Sequence, residues 1–344
     1  MRTDFSKTSA DIAIESQDWE QRDRETLARQ RSLSGALVTG SPRCDCLLCG
    51  GRLAAAERYR HRSVNYLLCC HCGHLQSQNI PPPGYPHAMT GSGFETVYPR
   101  LDRQAYESRR NRIYRPKLEW ALLAMAEAGS SAEQAIAESW LELGCGAGYF
   151  LDALREKGCR NFLGLDENAQ LVATAEAYCG EGAARCTDDM LSDLAASSAK
   201  NVAAFFVLEH LDQGARFWRI MSEKPAGTVL LFAVPTFGFA TMLEGAFDDF
   251  AARNLDNVLH TQLYTDRSID FALSSAGYEK AAEWLFGQDA SDLCRVLVGR
   301  IRAVAGDSLA ERLGTELAGL ADPLQAAIDR ARLCDARHIL AVKR

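Results

Sequence analysis

The sequence predicts an α/β protein, a doubly wound and mostly parallel seven-stranded sheet with helices on both faces, and three observations carry that prediction. From residue 136 onward, short apolar runs alternate with helix-like stretches, the pattern of a parallel sheet joined by crossover helices. The runs are near-continuously apolar rather than alternating, as strands buried on both faces require. One of them, Trp140-Leu-Glu-Leu143, enters a loop with glycine at 144, 146 and 148 and leaves it as the helix-like Phe150-Leu-Asp-Ala-Leu-Arg-Glu-Lys157. Glycine serves where backbone turns sharply or lies against a ligand, and the helix start that follows offers unpaired N–H groups.

The strands follow in order. The first is Ser139–Leu143. The second, Phe162–Leu165, ends in Asp166, where a carboxylate at a strand tip suits a ribose diol. The third, near Ala183–Thr187, closes on Asp188-Asp189, and the fourth, Val202–Val207, runs into Leu208-Glu209-His210. Lys224-Pro-Ala-Gly227 turns into the fifth strand, Thr228–Val234. A long loop over 235–265 precedes a helix, Arg267–Ala276, and Gly277-Tyr278 opens a sixth strand through Phe286. Residues 289–335 read as two or three helices inserted before a last strand, Arg337–Val342.

Three segments precede this body. Residues 1–40 form a polar arm with a helix-prone middle, Asp18 to Leu33, and no sustained apolar stripe. Residues 41–86 contain Cys46-Leu-Leu-Cys49-Gly50 and Cys69-Cys-His-Cys72-Gly73. Two C-x2-C-G turns at that separation suit a four-thiolate zinc site, with Cys46, Cys49, Cys69 and Cys72 as ligands. Four protein thiolates leave no open coordination position, so such a metal is structural. Cys44, Cys70, His71 and His74 are spare ligands, and a Cys/His exchange within the set stays open. Residues 87–135 are a linker and a helical cover, the Pro/Gly-rich composition starting at 79. In the cover, Tyr98, Tyr106 and Tyr114 interleave with Arg100, Arg103, Arg109, Arg110, Arg112 and Arg115. The simpler reading is an amphipathic helix with a wet outer face; the sharper one is stacking on a base or sugar with phosphate held by guanidinium groups.

Charge is uneven. Residues 41–120 carry twelve Arg/Lys against six Asp/Glu, whereas 121–344 carry twenty against thirty-two. The basic segment is either a solvated surface or an anion-facing one. No apolar run approaches the roughly 20 residues of a membrane span, and the first residues lack the apolar core of a secretory signal. Twelve cysteines without dense pairing, six of them within the α/β body, read as thiols in a reducing compartment, so the expected location is cytoplasmic.

The glycine spacing is G-x-G-x-G, which departs from the G-x-G-x-x-G of nicotinamide-binding loops because Tyr149 stands at the third position. Leu141-Glu-Leu-Gly-Cys-Gly-Ala-Gly148, Gly164-Leu-Asp166 and Val207-Leu-Glu-His210 resemble, in their order, the motifs of class I S-adenosylmethionine-dependent methyltransferases, which have a Rossmann-like fold. The resemblance spans about residues 136–288. The double C-x2-C-G module narrows it to methyltransferases with an N-terminal zinc-binding module, among them enzymes acting on deoxysugars and surface glycans. It implies that the cofactor's methionine part lies over Glu142, Gly144, Cys145, Gly146 and Gly148. It further implies that Asp166 takes both ribose hydroxyls, that Asp188 or Asp189 takes the adenine amino group, and that backbone around Phe206 lines the sulfonium.

Methyl transfer is an in-line displacement in which alignment is the main catalytic device, and a hydroxyl or carbon acid also needs a base. Candidates lie at the carboxyl ends of the fourth and fifth strands: His260 first, then Glu209 and His210. Each also has a plainer reading, His260 as a loop histidine satisfied by neighbours and Glu209-His210 as a helix-capping pair. The expected acceptor is a small molecule, a sugar or sugar nucleotide methylated on oxygen or carbon; a homodimer is compatible with the sequence. Two competing readings are an RNA methyltransferase gripping nucleic acid through the zinc module and the basic 41–120 segment, and a non-catalytic cofactor-binding scaffold. The acidic body opposes the first, and the intact glycines and acids oppose the loss of cofactor binding.

Overall fold

The computed structural model describes residues 1–8, 19–85, 102–257 and 260–344. Most of the Pro/Gly linker, Tyr98, Arg100 and Leu259 lie outside the described residues. The strands in chain order are β1 (Arg2–Phe5), β2 (Glu57–His61), β3 (Val64–Leu68), β4 (Leu75–Ser77), β5 (Trp140–Leu143), β6 (Phe162–Asp166), β7 (Ala184–Cys186), β8 (Asn201–Phe205), β9 (Val229–Pro235), β10 (Gln262–Leu263), β11 (Tyr278–Leu285) and β12 (Ala336–Lys343).

Eight of them form one sheet in the order β1-β11-β12-β9-β8-β5-β6-β7. β12 runs antiparallel to β9 and β11, and every other pairing is parallel. β5, β8 and β9 are buried along their whole lengths, which accounts for their unbroken apolar runs. One face packs the core around Leu141, Leu143, Val202, Phe232 and Phe217. The other packs Trp140, Phe150, Ala203, Leu231 and Leu118.

Seven strands were expected, and the eighth comes from the polar arm. Arg2–Phe5 pairs in parallel with Ala282–Leu285 at the sheet edge. The indole N–H of Trp120 donates to Asp4 (2.9 Å) and that of Trp284 to the Ser6 carbonyl (3.1 Å). Four residues with two charges carry no readable strand period, so this element depends on partners more than a hundred residues away. The arm also forms the helix Trp19–Leu37, longer than its Asp18–Leu33 expectation. The inserted helices are Asp289–Ala305, Asp307–Ala318 and Ala321–Arg330.

The cysteine-bearing segment folds as a small antiparallel sheet, β10-β4-β3-β2. Its edge strand β10 belongs to the loop expected over 235–265, and Gln262 and Leu263 pair with Gln76 and Leu75. That loop is more ordered than expected. It contains the helix Phe239–Ala246, and the Glu244 carboxylate accepts N–H groups from Arg253 (2.6 Å), Asn254 (2.9 Å) and Leu255 (3.2 Å).

Burial pushes the Glu244 carboxyl from 4.5 up to about 7, against the pull of those N–H donors. The folded protein therefore holds this proton more tightly than the unfolded chain does. Stability from this group is present below its unfolded value of 4.5 and declines as pH rises towards about 7. The expected slope is at most about 1.4 kcal/mol per pH unit, and Glu244→Gln should lack it. Urea unfolding midpoints of both proteins near pH 5 and near pH 8 measure the difference; parallel curves would exclude this role.

Candidate functional site

The strand order reverses between β5 and β8, so their connections leave on opposite sides and open a crevice at the carboxyl end of the sheet. The glycine loop stands at that point. Gly144 has φ +63°, and a Cβ there would collide with the Val207 side chain. Gly148, at φ +78°, caps the helix Tyr149–Glu156, and its Cβ would lie 2.7 Å from the Ala175 Cβ. Gly146 differs: at φ +51° its Cβ would meet no protein atom within 4 Å. Neighbouring protein atoms forbid side chains at 144 and 148, whereas at 146 the space is open and only the backbone conformation opposes one.

Asp166 ends β6 beside this loop. Its Oδ2 accepts the Gly146 N–H (2.8 Å) and its Oδ1 the Asn168 N–H (2.9 Å). Burial raises its pKa while these donors oppose the rise. Glu142 is buried with its Oε2 unpartnered among the described residues. Burial and then Asp166 push its carboxyl well up, and Lys117 pulls it back. An orphaned acceptor and an open glycine face fit a ligand carrying an amino group and hydroxyls. Cys145 contributes only backbone here, because its side chain packs inward with Leu151, Val172 and Ala175. Between the two acids after β7, Asp189 is engaged: it caps the helix Met190–Ala196 through Ser192 and pairs with Arg216 (3.2 Å). Asp188, beside it, is likewise exposed.

Beyond β8, Phe206 adopts φ +57° and keeps 38% of its surface exposed. A non-glycine residue in the left-handed region costs roughly 1–2 kcal/mol, and such strain concentrates at functional sites. The Lys117 ammonium lies 5.2 Å from its ring centre and 5.0 Å from that of Phe205. Burial brings that lysine down to about 7.

The Tyr/Arg segment forms the helix Arg103–Arg109, a π-turn Arg110–Tyr114 and the helix Arg115–Glu127. Tyr106 stacks on Tyr178 (3.6 Å) and Tyr149 (4.4 Å), and its hydroxyl donates to the Ala147 carbonyl (3.0 Å). Arg110 is buried on Asp152 (2.6 Å) and Glu156 (2.8 Å). The segment thus covers the glycine loop, and its aromatic and guanidinium groups are used in large part to dock it there.

The three base candidates come together. The turn Leu208–His210 follows Val207, which packs on Gly144, and Glu209 is 1% exposed. Glu209 Oε1 stands 3.9 Å from His210 Nε2 and 3.9 Å from His260 Nε2. The two imidazoles lie 4.9 Å apart, tilted by 31°. His260 Nδ1 faces the Asn254 carbonyl at 2.9 Å. A carbonyl only accepts, so Nδ1 carries the hydrogen and the Nε2 lone pair points at Glu209. Burial pushes Glu209 up to about 8 and His260 down to about 4.

The four cysteines of the two turns also converge. Cys46 Sγ lies 3.6 Å from Cys72 Sγ, and Cys49 Sγ 3.8 Å from Cys69 Sγ. Sulfurs bound tetrahedrally at about 2.3 Å from one ion stand about 3.8 Å apart, so these four fit a single metal. Gly50 and Gly73, both at positive φ, close the turns by donating to the Cys46 and Cys69 carbonyls. The spare ligands are occupied elsewhere or exposed. His74 meets Gln262 (2.7 Å), His71 packs on Phe271, and Cys44 and Cys70 face solvent. The cysteine module reaches the Glu209–His210–His260 cluster through backbone: Ser77 N–H donates to Thr261 O (2.8 Å), one residue from His260.

A glycine loop at the switch point of a doubly wound sheet, with an acid at the next strand tip, defines a nucleotide-cofactor enzyme of the open α/β class. The methyltransferase domain family matches residues 106–283, just over half of the 344 residues, and the chain belongs to that family of S-adenosylmethionine-dependent methyltransferases. Similar solved structures include the magnesium protoporphyrin IX methyltransferase of Synechocystis PCC 6803, at 13% identity and a TM-score of 0.44, covering 73% of this chain and 93% of that one. Another is a SAM-dependent methyltransferase from Archaeoglobus fulgidus, at 17% identity and a TM-score of 0.42, covering 73% and 98%. No curated protein matches the chain. Among the described residues, no helix is long and apolar enough to cross a membrane.

Proposed function

We propose that this methyltransferase transfers a methyl group to a hydroxyl or carbon of a small-molecule acceptor, a sugar or sugar nucleotide, in the crevice between the glycine loop and the cysteine module. The observation that carries the reading is the Glu209–His210–His260 cluster beside the glycine loop. When bound, S-adenosylmethionine supplies an electrophilic methyl group; the chain must hold it, orient the acceptor and take a proton. Glu142, Gly144, Gly146, Gly148 and Asp166 would hold the methionine and ribose parts, Asp188 the adenine, and the strained backbone at Phe206 would border the sulfonium. His260 would receive the acceptor's proton at Nε2, with Glu209 steadying the imidazolium that results. The four thiolates would hold a structural zinc.

A sugar acceptor is favoured by the placement of a four-cysteine module ahead of the methyltransferase body. RNA is disfavoured because Arg110, Arg62 and Arg115, from the basic segment, are spent on internal partners. The test is calorimetry with S-adenosylhomocysteine followed by a screen of nucleotide sugars for methyl transfer. The wild type should bind the product, and His260→Ala should bind it equally while losing turnover by about 100-fold or more. Absence of binding by the wild type would end the cofactor reading, and full turnover by His260→Ala would remove the base.

A further inference from the structure

We infer that Glu209, His210 and His260 form a divalent-cation site, distinct from the four thiolates, that holds the acceptor through two neighbouring oxygens. The inference deepens the methyltransferase reading and rests on it only for the acceptor; the ion site stands on its own geometry.

The three residues offer one carboxylate oxygen and two imidazole nitrogens within 4.8 Å of one another. Ligand atoms held about 2.1 Å from one ion stand about 3.0 Å apart when cis and about 4.2 Å apart when trans. The 3.9 Å separations from Glu209 Oε1 to each Nε2 fall within that range. Neither Glu209 oxygen has a hydrogen-bond partner among the described residues, although the side chain is fully buried. A buried carboxylate without donors is costly unless something positive faces it. Two imidazole nitrogens face it, His210 Nε2 and His260 Nε2, each at 3.9 Å and so beyond hydrogen-bond reach, and that of His260 presents a lone pair, since its N-bound hydrogen is on Nδ1 and engaged with Asn254 O. Two acceptors aimed at one point, with the far nitrogen anchored to a backbone carbonyl, is how metal-binding histidines are held.

Two imidazoles and one carboxylate leave several coordination positions open and suit a first-row divalent ion such as Mn2+, Fe2+ or Zn2+. A vicinal diol, or a hydroxyl beside a carbonyl, would fill two of those positions through its oxygens. With an ion bound, His260 Nε2 would be a ligand and no longer the base; the ion would instead lower the pKa of the bound hydroxyl, whose proton would pass to solvent. This selects acceptors with paired oxygens over isolated alcohols.

The sites are separable by ligand preference, since thiolates favour zinc over manganese. The experiment titrates the purified full-length protein, its thiolate site loaded with zinc, with Mn2+ and counts free Mn2+ by electron paramagnetic resonance. One Mn2+ per chain should bind, and Glu209→Gln should weaken it at least about tenfold with zinc content and thermal midpoint unchanged. Should that variant fail to fold, His210→Asn removes another of the proposed ligands, one 16% exposed where Glu209 is fully buried, and carries the same expectation. No Mn2+ bound by the wild type, or equal affinity in the variants, overturns the site. S-adenosylhomocysteine calorimetry on the same samples separates the two ideas. Lost product binding with Mn2+ retained would end the methyltransferase reading alone, and the converse would end the ion site alone.

Discussion

Asp166→Ala is expected to weaken S-adenosylhomocysteine binding by at least about 100-fold. A carboxylate holding two ribose hydroxyls makes two charge-assisted hydrogen bonds, each contributing roughly 1.5–3 kcal/mol. The same side chain accepts the Gly146 and Asn168 N–H groups, so its removal also releases the glycine loop from its brace. Asp166→Asn retains one acceptor oxygen and should fall between the wild type and Asp166→Ala. Gly146→Ala is the partner experiment, because its new methyl group meets no protein atom. It should fold, with about 1–2 kcal/mol of backbone strain, yet bind the product poorly. Calorimetry beside thermal unfolding reads both. Product affinity unchanged in both variants would mean that the cofactor does not lie on this loop.

Loss of the metal proposed for the four thiolates is expected to be the second large effect. Cys72→Ser should bring zinc content to near zero and lower unfolding free energy by several kcal/mol, since structural zinc in small modules contributes its binding energy to folding. The damage should also reach the Glu209–His210–His260 cluster. β4 follows the Cys69–Cys72 turn and pairs with β10, and the Ser77–Thr261 bond lies next to His260. Methyl transfer should therefore fall along with zinc, and amide exchange should quicken at 75–77 and 261–263 before it does in β5 or β8. Metal analysis and hydrogen exchange check this; a metal-free variant with native stability would show that the four cysteines are not a structural centre.

Much of this was legible in the residues. Unbroken apolar runs placed β5, β6, β8 and β9 to within a residue or two, because strands buried on both faces carry a signal that needs no partner. The glycines at 144 and 148 and the acid at 166 announced their positions through local backbone demands. The doubled C-x2-C-G pattern likewise singled out the four cysteines that converge, although their 3.6 and 3.8 Å sulfur contacts join one turn to the other. Other features had no local signal. β1 exists because β11 offers it an edge, and β10 because β4 does.

The contact between Glu209 and His260 belongs to the same category. It joins residues about fifty positions apart, one on a turn after β8 and the other on a loop held by Glu244 and by the cysteine module. Sequence by itself determined the parallel sheet, the glycine loop and the sulfur set, all written in short-range spacing. Only the tertiary structure decided that a buried carboxylate and two imidazoles share one point, because that meeting depends on where two long connections dock, and docking is set by packing rather than by any local pattern.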